Sequence, residues 1–174
     1  MKKVIALLIA AFICFAAVVL WRCPLRYKAE ILAASEKYGV SQSIVASIIK
    51  CESGYDKNAL SRVGAKGLMQ ITDSTFEWLC EIRGIENADV YNPHDNIDMG
   101  TYYLSTLIER YEDIPTALAA YNGGPSNVDR WLLDSQYSAD GKTLHSAGYA
   151  QTDIYMKKVM FFKDVYKIIY LLEE

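Results

Sequence analysis

Residues 52–75 read ESGYDKNALSRVGAKGLMQITDST, and the apolar residues of their central part, residues 55–72, follow the spacing of neither a helix nor a strand. In this central part, the glycines Gly64 and Gly67 and the small polar residues around them are typical of a structured loop. The segments on both sides have helical spacing, and sustained alternation occurs nowhere in the chain. A long loop between helices therefore indicates a mainly α-helical domain.

The helix predicted before this loop carries one apolar stripe, formed by Ile44, Val45, Ile48 and Ile49. Ser41 suits its N-cap, and Gly54 is expected to end it near Glu52. Glu52 is four residues beyond Ile48, so it falls on the apolar face and in the last helical turn. Both positions are expected to raise its pKa, as a general acid requires. Position alone fits equally well a solvated glutamate at a frayed helix end.

Helical spacing continues through the rest of the chain. Further helices are predicted over residues 27–38, 74–83, 113–120, 126–133 and 151–172, and over a segment after residue 96. Asn96 is the expected N-cap of that segment, and Asn92-Pro93 marks a turn before it. Residues 134–148 are polar and predict a surface loop. We expect a single domain over residues 23–174.

The N-terminus has the pattern of a targeting segment. After a short basic start, residues 4–21 contain no charged residue, which is close to the minimum length for a membrane-spanning helix. No small-residue cleavage site follows, and the residues before Cys23 do not suit a lipoprotein. Residues 1–22 are therefore predicted to be an uncleaved signal anchor, with secretion after cleavage as the alternative. The flanking charges do not fix its orientation.

Charge and cysteine content exclude some classes of function. The net charge is −3 and the basic residues are scattered, which argues against a nucleic-acid binder. The four cysteines, at positions 14, 23, 51 and 80, form no C-x-x-C or Cys/His group, so no metal and no cofactor are expected. Cys51 and Cys80 could pair outside the cytoplasm, and the spacing leaves this open.

The loop resembles the first motif of the lytic transglycosylases related to goose-type lysozyme, also called the soluble-lytic-transglycosylase (SLT) family. The matching residues are Glu52, Ser53, Tyr55, Ala59, Ser61, Gly64, Ala65, Gly67, Leu68, Met69, Gln70, Ile71 and Thr75. Residues 96–104 resemble the family's N-I-x-x-G-x-x-Y-L segment, and residues 117–124 its A-L-A-A-Y-N-x-G segment. The fourth block, at residues 151–156, matches in part, with Gln151 where the family often has Glu.

The resemblance implies a lysozyme-like domain that cuts peptidoglycan glycan strands outside the cytoplasmic membrane. It implies that Glu52 is the catalytic acid and base, cleaving the bond between N-acetylmuramic acid and N-acetylglucosamine to give a 1,6-anhydro product. It assigns substrate binding to Ser61, Gln70, Tyr121, Asn122 and Tyr155, although core packing competes as the role of Tyr155. The expected partners are peptidoglycan and the membrane through the anchor, with an envelope complex as a further candidate.

Two other functions stay open at this point. The first is a lysozyme-type muramidase that uses water in place of the muramoyl hydroxyl. The second is a catalytically silent peptidoglycan-binding scaffold, against which the intact Glu52 argues.

Overall fold

The computed structural model describes Met1, Val4, Ile5, Leu7, Ala11 and residues 22–171. Residues 22–171 contain seven helices: α1 Lys28–Tyr38, α2 Gln42–Glu52, α3 Asp73–Arg83, α4 Pro93–Tyr111, α5 Ile114–Gly123, α6 Pro125–Leu132 and α7 Ala150–Leu171. Within this described part, strand-like pairing is limited to two isolated bridges, Leu60 with Lys66 and Lys66 with Ile71. The prediction of a mainly α-helical domain is confirmed.

Most helix ends follow the local chemistry of their capping residues. Gly39 and Gly84 end α1 and α3 in the left-handed conformation, which glycine adopts without a Cβ clash. Asp113 caps α5 by accepting a 2.9 Å hydrogen bond from the Thr116 N–H. Ser41 is the N-cap residue of α2, as predicted, but its side chain makes no capping hydrogen bond.

The expectation for Asn96 is wrong. Helix α4 begins at Pro93, and the N-cap is Asn92, whose side chain accepts from the His94 N–H at 2.9 Å. Proline suits the first turn of a helix because its missing N–H would have no intrahelical partner there. Asn96 therefore lies one turn inside the helix, where its amide is free to bind another part of the chain.

The core is centred on helices α2 and α5. Apolar residues of these helices with no solvent exposure are Val45, Ala46, Ile48, Ile49, Ala117, Leu118, Ala119 and Ala120. Helix α7 packs along α2, and α5 is in contact with α4, α6 and α7. Because alanine side chains are short, neighbouring helices can approach α5 closely. The C-terminal ends of α2 and α5 carry Glu52 and Tyr121, respectively.

The predicted anchor, residues 1–22, lies mostly outside the described residues. Among the residues that are described, no helix is long and apolar enough to cross a bilayer. The anchor therefore stays a prediction.

Cys23, Cys51 and Cys80 are free thiols, so Cys51 and Cys80 are not bonded to each other.

Candidate active site

Residues 53–72, the motif loop, are held by backbone hydrogen bonds between its own segments. Lys66 and Ile71 exchange two such bonds, of 2.9 and 3.0 Å. The Gly67 N–H donates to the Ala59 carbonyl at 2.9 Å. Ser61 contributes a side-chain bond, because its Oγ accepts from the Ala65 N–H at 2.9 Å. The loop thus has a fixed backbone although it contains almost no regular structure.

The Asn96 side chain fastens the motif loop to α4. Its Oδ1 accepts from the Met69 N–H at 2.7 Å, and its Nδ2 donates to the carbonyls of Lys66 (3.1 Å) and Val90 (2.8 Å). Asn96 is 1% exposed, so these bonds replace water for its buried amide and for the buried Met69 N–H. The loop segment that precedes Gln70 is therefore positioned by a side chain of another helix.

Gly67 is required by both conformation and space. Its φ is +74°, and a Cβ would lie 2.6 Å from the Val90 carbonyl oxygen and against the Asn96 amide. We predict that Gly67→Ala lowers the free energy of unfolding by about 2–3 kcal/mol, through strain and steric clash together. Gly64→Ala is the matched control, because Gly64 also has a positive φ (+85°) but no atom within 4 Å of a Cβ. Urea denaturation measures the free energy of unfolding of both variants. An equal decrease in the two would contradict a contribution from the clash at Gly67.

Ser53 shapes the chain where α2 ends. Its Oγ donates to the Ile49 carbonyl at 3.1 Å and accepts from the Tyr55 N–H at 3.1 Å. Tyr55 adopts a positive φ of 72° and is 2% exposed, with its hydroxyl donating to the Ala46 carbonyl at 3.3 Å. The Glu-Ser-x-Tyr sequence therefore turns the backbone sharply and leaves Glu52 at the end of a buried helix.

Glu52 is half-buried, and burial raises the pKa of its carboxyl from 4.5 to about 7. The Tyr155 hydroxyl and the Lys158 charge, both on α7, lower this pKa in part. The buried Tyr155 hydroxyl faces the carboxyl, but the pair lacks the geometry of a fully formed hydrogen bond. The rise that the sequence predicted is confirmed.

Because the pKa of Glu52 is raised on folding, the free energy of unfolding is expected to depend on pH. Between about pH 4.5 and 7 the folded protein holds the proton more tightly than the unfolded chain, so stability falls as the pH rises. Glu52→Gln cannot ionise. We expect it to be more stable than the wild type by about 1–3 kcal/mol above pH 7, and equal below pH 4.5. Thermal unfolding of both proteins across this range checks the prediction, and a pH-independent difference would contradict it.

Tyr121 connects Glu52 to the motif loop. Its hydroxyl donates to the Met69 carbonyl at 2.9 Å. Burial raises the pKa of Tyr121 well above its usual value, and the charge of Glu52 raises it further, as it does for Tyr155. Glu52, Tyr121 and Tyr155 thus form one cluster in which two hydroxyls that stay protonated surround a carboxyl that titrates near neutrality.

A cleft of about 340 Å³ opens beside this cluster. Its lining residues are Gln70, Ile71, Thr72, Thr75, Tyr103, Tyr121, Asn122, Gly123, Gly124 and Pro125. The Asn122 Oδ1 accepts from the Thr152 hydroxyl at 3.0 Å, which ties this wall to α7. The lining thus combines hydroxyl and amide groups with aromatic rings, which suits an uncharged polar ligand.

The family of the chain follows from its match to a family model. The model that describes the Transglycosylase SLT domain matches residues 30–144, well over half of the chain. The chain belongs to this family. The matched region contains the motif loop, Glu52 and the whole lining of the cleft.

Relatives of this SLT domain include larger proteins. It is 39% identical over 99 residues to the transglycosylase of Enterobacteria phage PRD1, covering 57% of this chain and 35% of that protein. It is 36% identical over 118 residues to the membrane-bound lytic murein transglycosylase C of Photorhabdus laumondii, covering 60% of this chain and 33% of that protein. The chain therefore spans about a third of the length of these relatives.

The fold of the SLT domain is also found in a solved structure. The 70 kDa soluble lytic transglycosylase of Escherichia coli superposes with a TM-score of 0.77 at 26% sequence identity. The match covers 87% of this chain and 26% of that enzyme. The lysozyme-like architecture expected from the sequence is thereby confirmed.

The structure brings together most of the residues predicted for the site of the SLT domain. Gln70, Tyr121 and Asn122 line the cleft, whereas Tyr155 is buried beside Glu52. Ser61 is not among the lining residues, and its Oγ accepts the Ala65 N–H, although its hydroxyl hydrogen can still be donated. Sequence reasoning missed Lys158, which is one helical turn beyond Tyr155 on α7.

A row of three aromatic side chains, Tyr121, Tyr103 and Trp78, was not identified from the sequence as a functional feature. The ring centroids of Tyr121 and Tyr103 are 5.5 Å apart, and those of Tyr103 and Trp78 are 6.1 Å apart. Trp78 is 44% exposed and lies one turn after Thr75, a residue of the cleft lining. The spacing of three between Thr75 and Trp78 was the available signal, because it places both residues on one face of α3.

Proposed function

We propose that this SLT domain is a peptidoglycan lytic transglycosylase with Glu52 as its single catalytic acid and base. The observation that carries the proposal is the half-buried Glu52 carboxyl, whose pKa is about 7, beside a cleft with polar and aromatic walls. A carboxyl of this kind is protonated in a large fraction of molecules near neutral pH and can donate its proton.

The proposed reaction cleaves the β-1,4 bond between N-acetylmuramic acid and N-acetylglucosamine. Glu52 donates its proton to the glycosidic oxygen as the bond from that oxygen to the anomeric carbon of the muramoyl sugar breaks. The acetamido carbonyl of that sugar stabilises the cationic centre. The muramoyl 6-hydroxyl then bonds to the anomeric carbon and returns its proton to Glu52. The product is a 1,6-anhydro sugar, and no water is consumed.

One carboxylate is enough for this route, whereas ordinary glycosidases use two. Glu52 lies beside the cleft lining, which itself contains no aspartate or glutamate among the described residues. The two acidic residues in and just after the motif loop have other contacts: Asp56 accepts from the Asn58 N–H at 2.9 Å, and Asp73 pairs with Lys66 at 2.7 Å. These contacts support the single-acid mechanism.

Substrate binding is proposed for Ser61, Gln70, Tyr121, Asn122 and Tyr155. The Gln70 Nε2 donates to the carbonyls of Ala59 (3.2 Å) and Gly67 (2.9 Å), which leaves its Oε1 to accept from a sugar hydroxyl or amide. Asn122 accepts from Thr152, so its amide N–H₂ is available to donate. The Tyr155 hydroxyl would donate to Glu52 once the carboxyl has lost its proton.

The exposed end of the aromatic row offers a ring face to a sugar. We predict that Trp78→Ala weakens the binding of long glycan strands about three- to tenfold, because stacking on the indole ring is lost. Ile82→Ala is the control, since Ile82 is an exposed apolar residue (49%) one turn further along the same helix. Isothermal titration with glycan strands measures the effect, and equal affinities for both variants would contradict it.

The location of the enzyme is part of the proposal. Residues 23–174 would form the catalytic domain on the outer side of the cytoplasmic membrane, where peptidoglycan lies, and residues 1–22 would anchor it. Support comes from the uncharged run at residues 4–21 and from the similarity to a protein described as membrane-bound.

Mass spectrometry of muropeptides released from purified peptidoglycan by the full chain tests the function. Products lighter by one water than reducing-end muropeptides are expected. Reducing-end products would mean a muramidase. No products from a folded protein that binds glycan would mean a scaffold.

A further inference from the structure

The outer face of α7 exposes a straight apolar stripe. Ile154, Phe161 and Ile168 are 64%, 63% and 60% exposed. They are spaced by seven residues, which places them along one side of the helix over about 21 Å. The opposite side of α7 carries the buried residues Tyr155, Val159 and Tyr166. The stripe, called here the α7 stripe, is therefore a surface feature and not part of the core.

Basic residues border the α7 stripe on one side. Phe161 and Lys158 line a cavity of about 550 Å³, together with Arg22, Cys23, Lys50, Phe162 and Val165. This lining includes three basic residues and no acidic residue. On the other side of the stripe, the exposed Lys157 pairs with Asp153 at 2.7 Å, and Asp164 is exposed as well. The surface thus combines an apolar floor with a cationic rim on the side of the cavity.

We propose that the α7 stripe and this cavity dock onto a bilayer surface that contains anionic phospholipid. A narrow apolar stripe bordered by lysines is the pattern of a helix that lies in the headgroup region, with its apolar side chains inserted and its lysines near the phosphates. The cavity would accept a lipid headgroup phosphate between Lys50 and Lys158.

Another occupant fits less well. A glycan strand would find few hydrogen-bonding groups on the stripe, since Ile154, Phe161 and Ile168 carry none. Arg22, a lining residue of the cavity, also directly follows the uncharged run of residues 4–21, the predicted membrane anchor.

Docking in this way leaves the Asn122 wall of the catalytic cleft open, while Lys158 is shared between the cavity and the surroundings of Glu52. Thr152, which binds Asn122 in the cleft wall, is on the buried side of α7, opposite the stripe. A bilayer against the stripe would therefore lie on the far side of α7 from that wall. The proposal does not depend on the proposed catalytic activity.

Methyl NMR of the full chain in lipid nanodiscs tests the proposal. The isoleucine methyl groups are labelled, and the discs contain equal parts of phosphatidylcholine and phosphatidylglycerol with a trace of a gadolinium-chelate lipid. We expect the Ile154 and Ile168 signals to lose most of their intensity. The control is Ile82, which is exposed on α3 and should keep its signal.

Three results would overturn the proposal. The first is equal loss at Ile82, Ile154 and Ile168. The second is the same loss in discs of phosphatidylcholine alone, which would exclude a role for anionic lipid. The third is broadening of the Ile154 and Ile168 signals that grows with protein concentration and occurs without the gadolinium lipid. This would indicate that a second copy of the chain binds the stripe.

A charge-reversal variant gives an independent check. Lys50→Glu combined with Phe161→Asp should restore the Ile154 and Ile168 signals in the anionic discs. Leu133→Asp, at an 88% exposed site after α6, should not. Unchanged Ile48 and Ile49 signals verify that the core is intact, and persistent signal loss in the folded double variant would overturn the proposal.

Discussion

Glu52→Gln should reduce glycan cleavage by about 10³-fold while glycan binding and folding are retained, because the amide cannot donate or accept the catalytic proton. Mass spectrometry of released muropeptides measures the cleavage, and a pull-down with insoluble peptidoglycan measures binding. In the wild type, cleavage should fall as the pH rises through about 7, since the acid form of Glu52 is lost there.

Glu36→Gln is the matched control for this prediction. Glu36 is an exposed residue of α1 and has none of the burial that raises the pKa of Glu52. Its substitution should leave cleavage unchanged. Retained cleavage in Glu52→Gln would remove Glu52 from the mechanism. Joint loss of cleavage and folding would mean that the carboxyl has a structural role.

Asn96→Ala should lower the free energy of unfolding by about 3–5 kcal/mol, because it removes three hydrogen bonds and leaves the buried Met69 N–H without a partner. The other two bonds join Asn96 to the carbonyls of Lys66 and Val90. For a domain of this size the expected fall in Tm is about 10 °C. Differential scanning calorimetry measures it.

The Asn96→Ala substitution should also disturb the active site. The Met69 carbonyl accepts the Tyr121 hydroxyl, so a displaced loop would move the tyrosine that borders Glu52. Cleavage measured well below the Tm should fall along with stability. Asn58→Ala is the control, since Asn58 is exposed in the same loop. A variant with a normal Tm would show that the Asn96 bonds do not hold the loop.

Helix positions were predictable because they depend on local chemistry. Apolar spacing and capping residues such as Gly39, Gly84 and Asp113 act within a few residues, so their effect can be read along the chain. Asn96 shows the limit of this reasoning. An asparagine before an apolar stripe has the local pattern of a cap, but Asn92 with Pro93 competes for that role and Asn96 is used in a long-range contact.

The functional residues divide in the same way. Glu52 was predictable because its position relative to Ile48 fixes its face on the helix, and burial of that face raises its pKa. The position of Lys158 near Glu52 was not, since Lys158 lies on another helix and approaches Glu52 only when α2 and α7 pack. The state of Cys51 and Cys80 also needed the structure, because sequence spacing does not give the separation of two thiols.

The sequence by itself determined the helical class of the domain, the motif loop, the family and Glu52 as the candidate acid. These follow from periodicity, turn chemistry and residue type, which are properties of short segments. Only the tertiary structure decided what surrounds Glu52, how Asn96 and Tyr121 hold the loop, and which face of α7 stays exposed. These depend on contacts between residues far apart in the chain, whose geometry is set by the packing of α2, α4, α5 and α7.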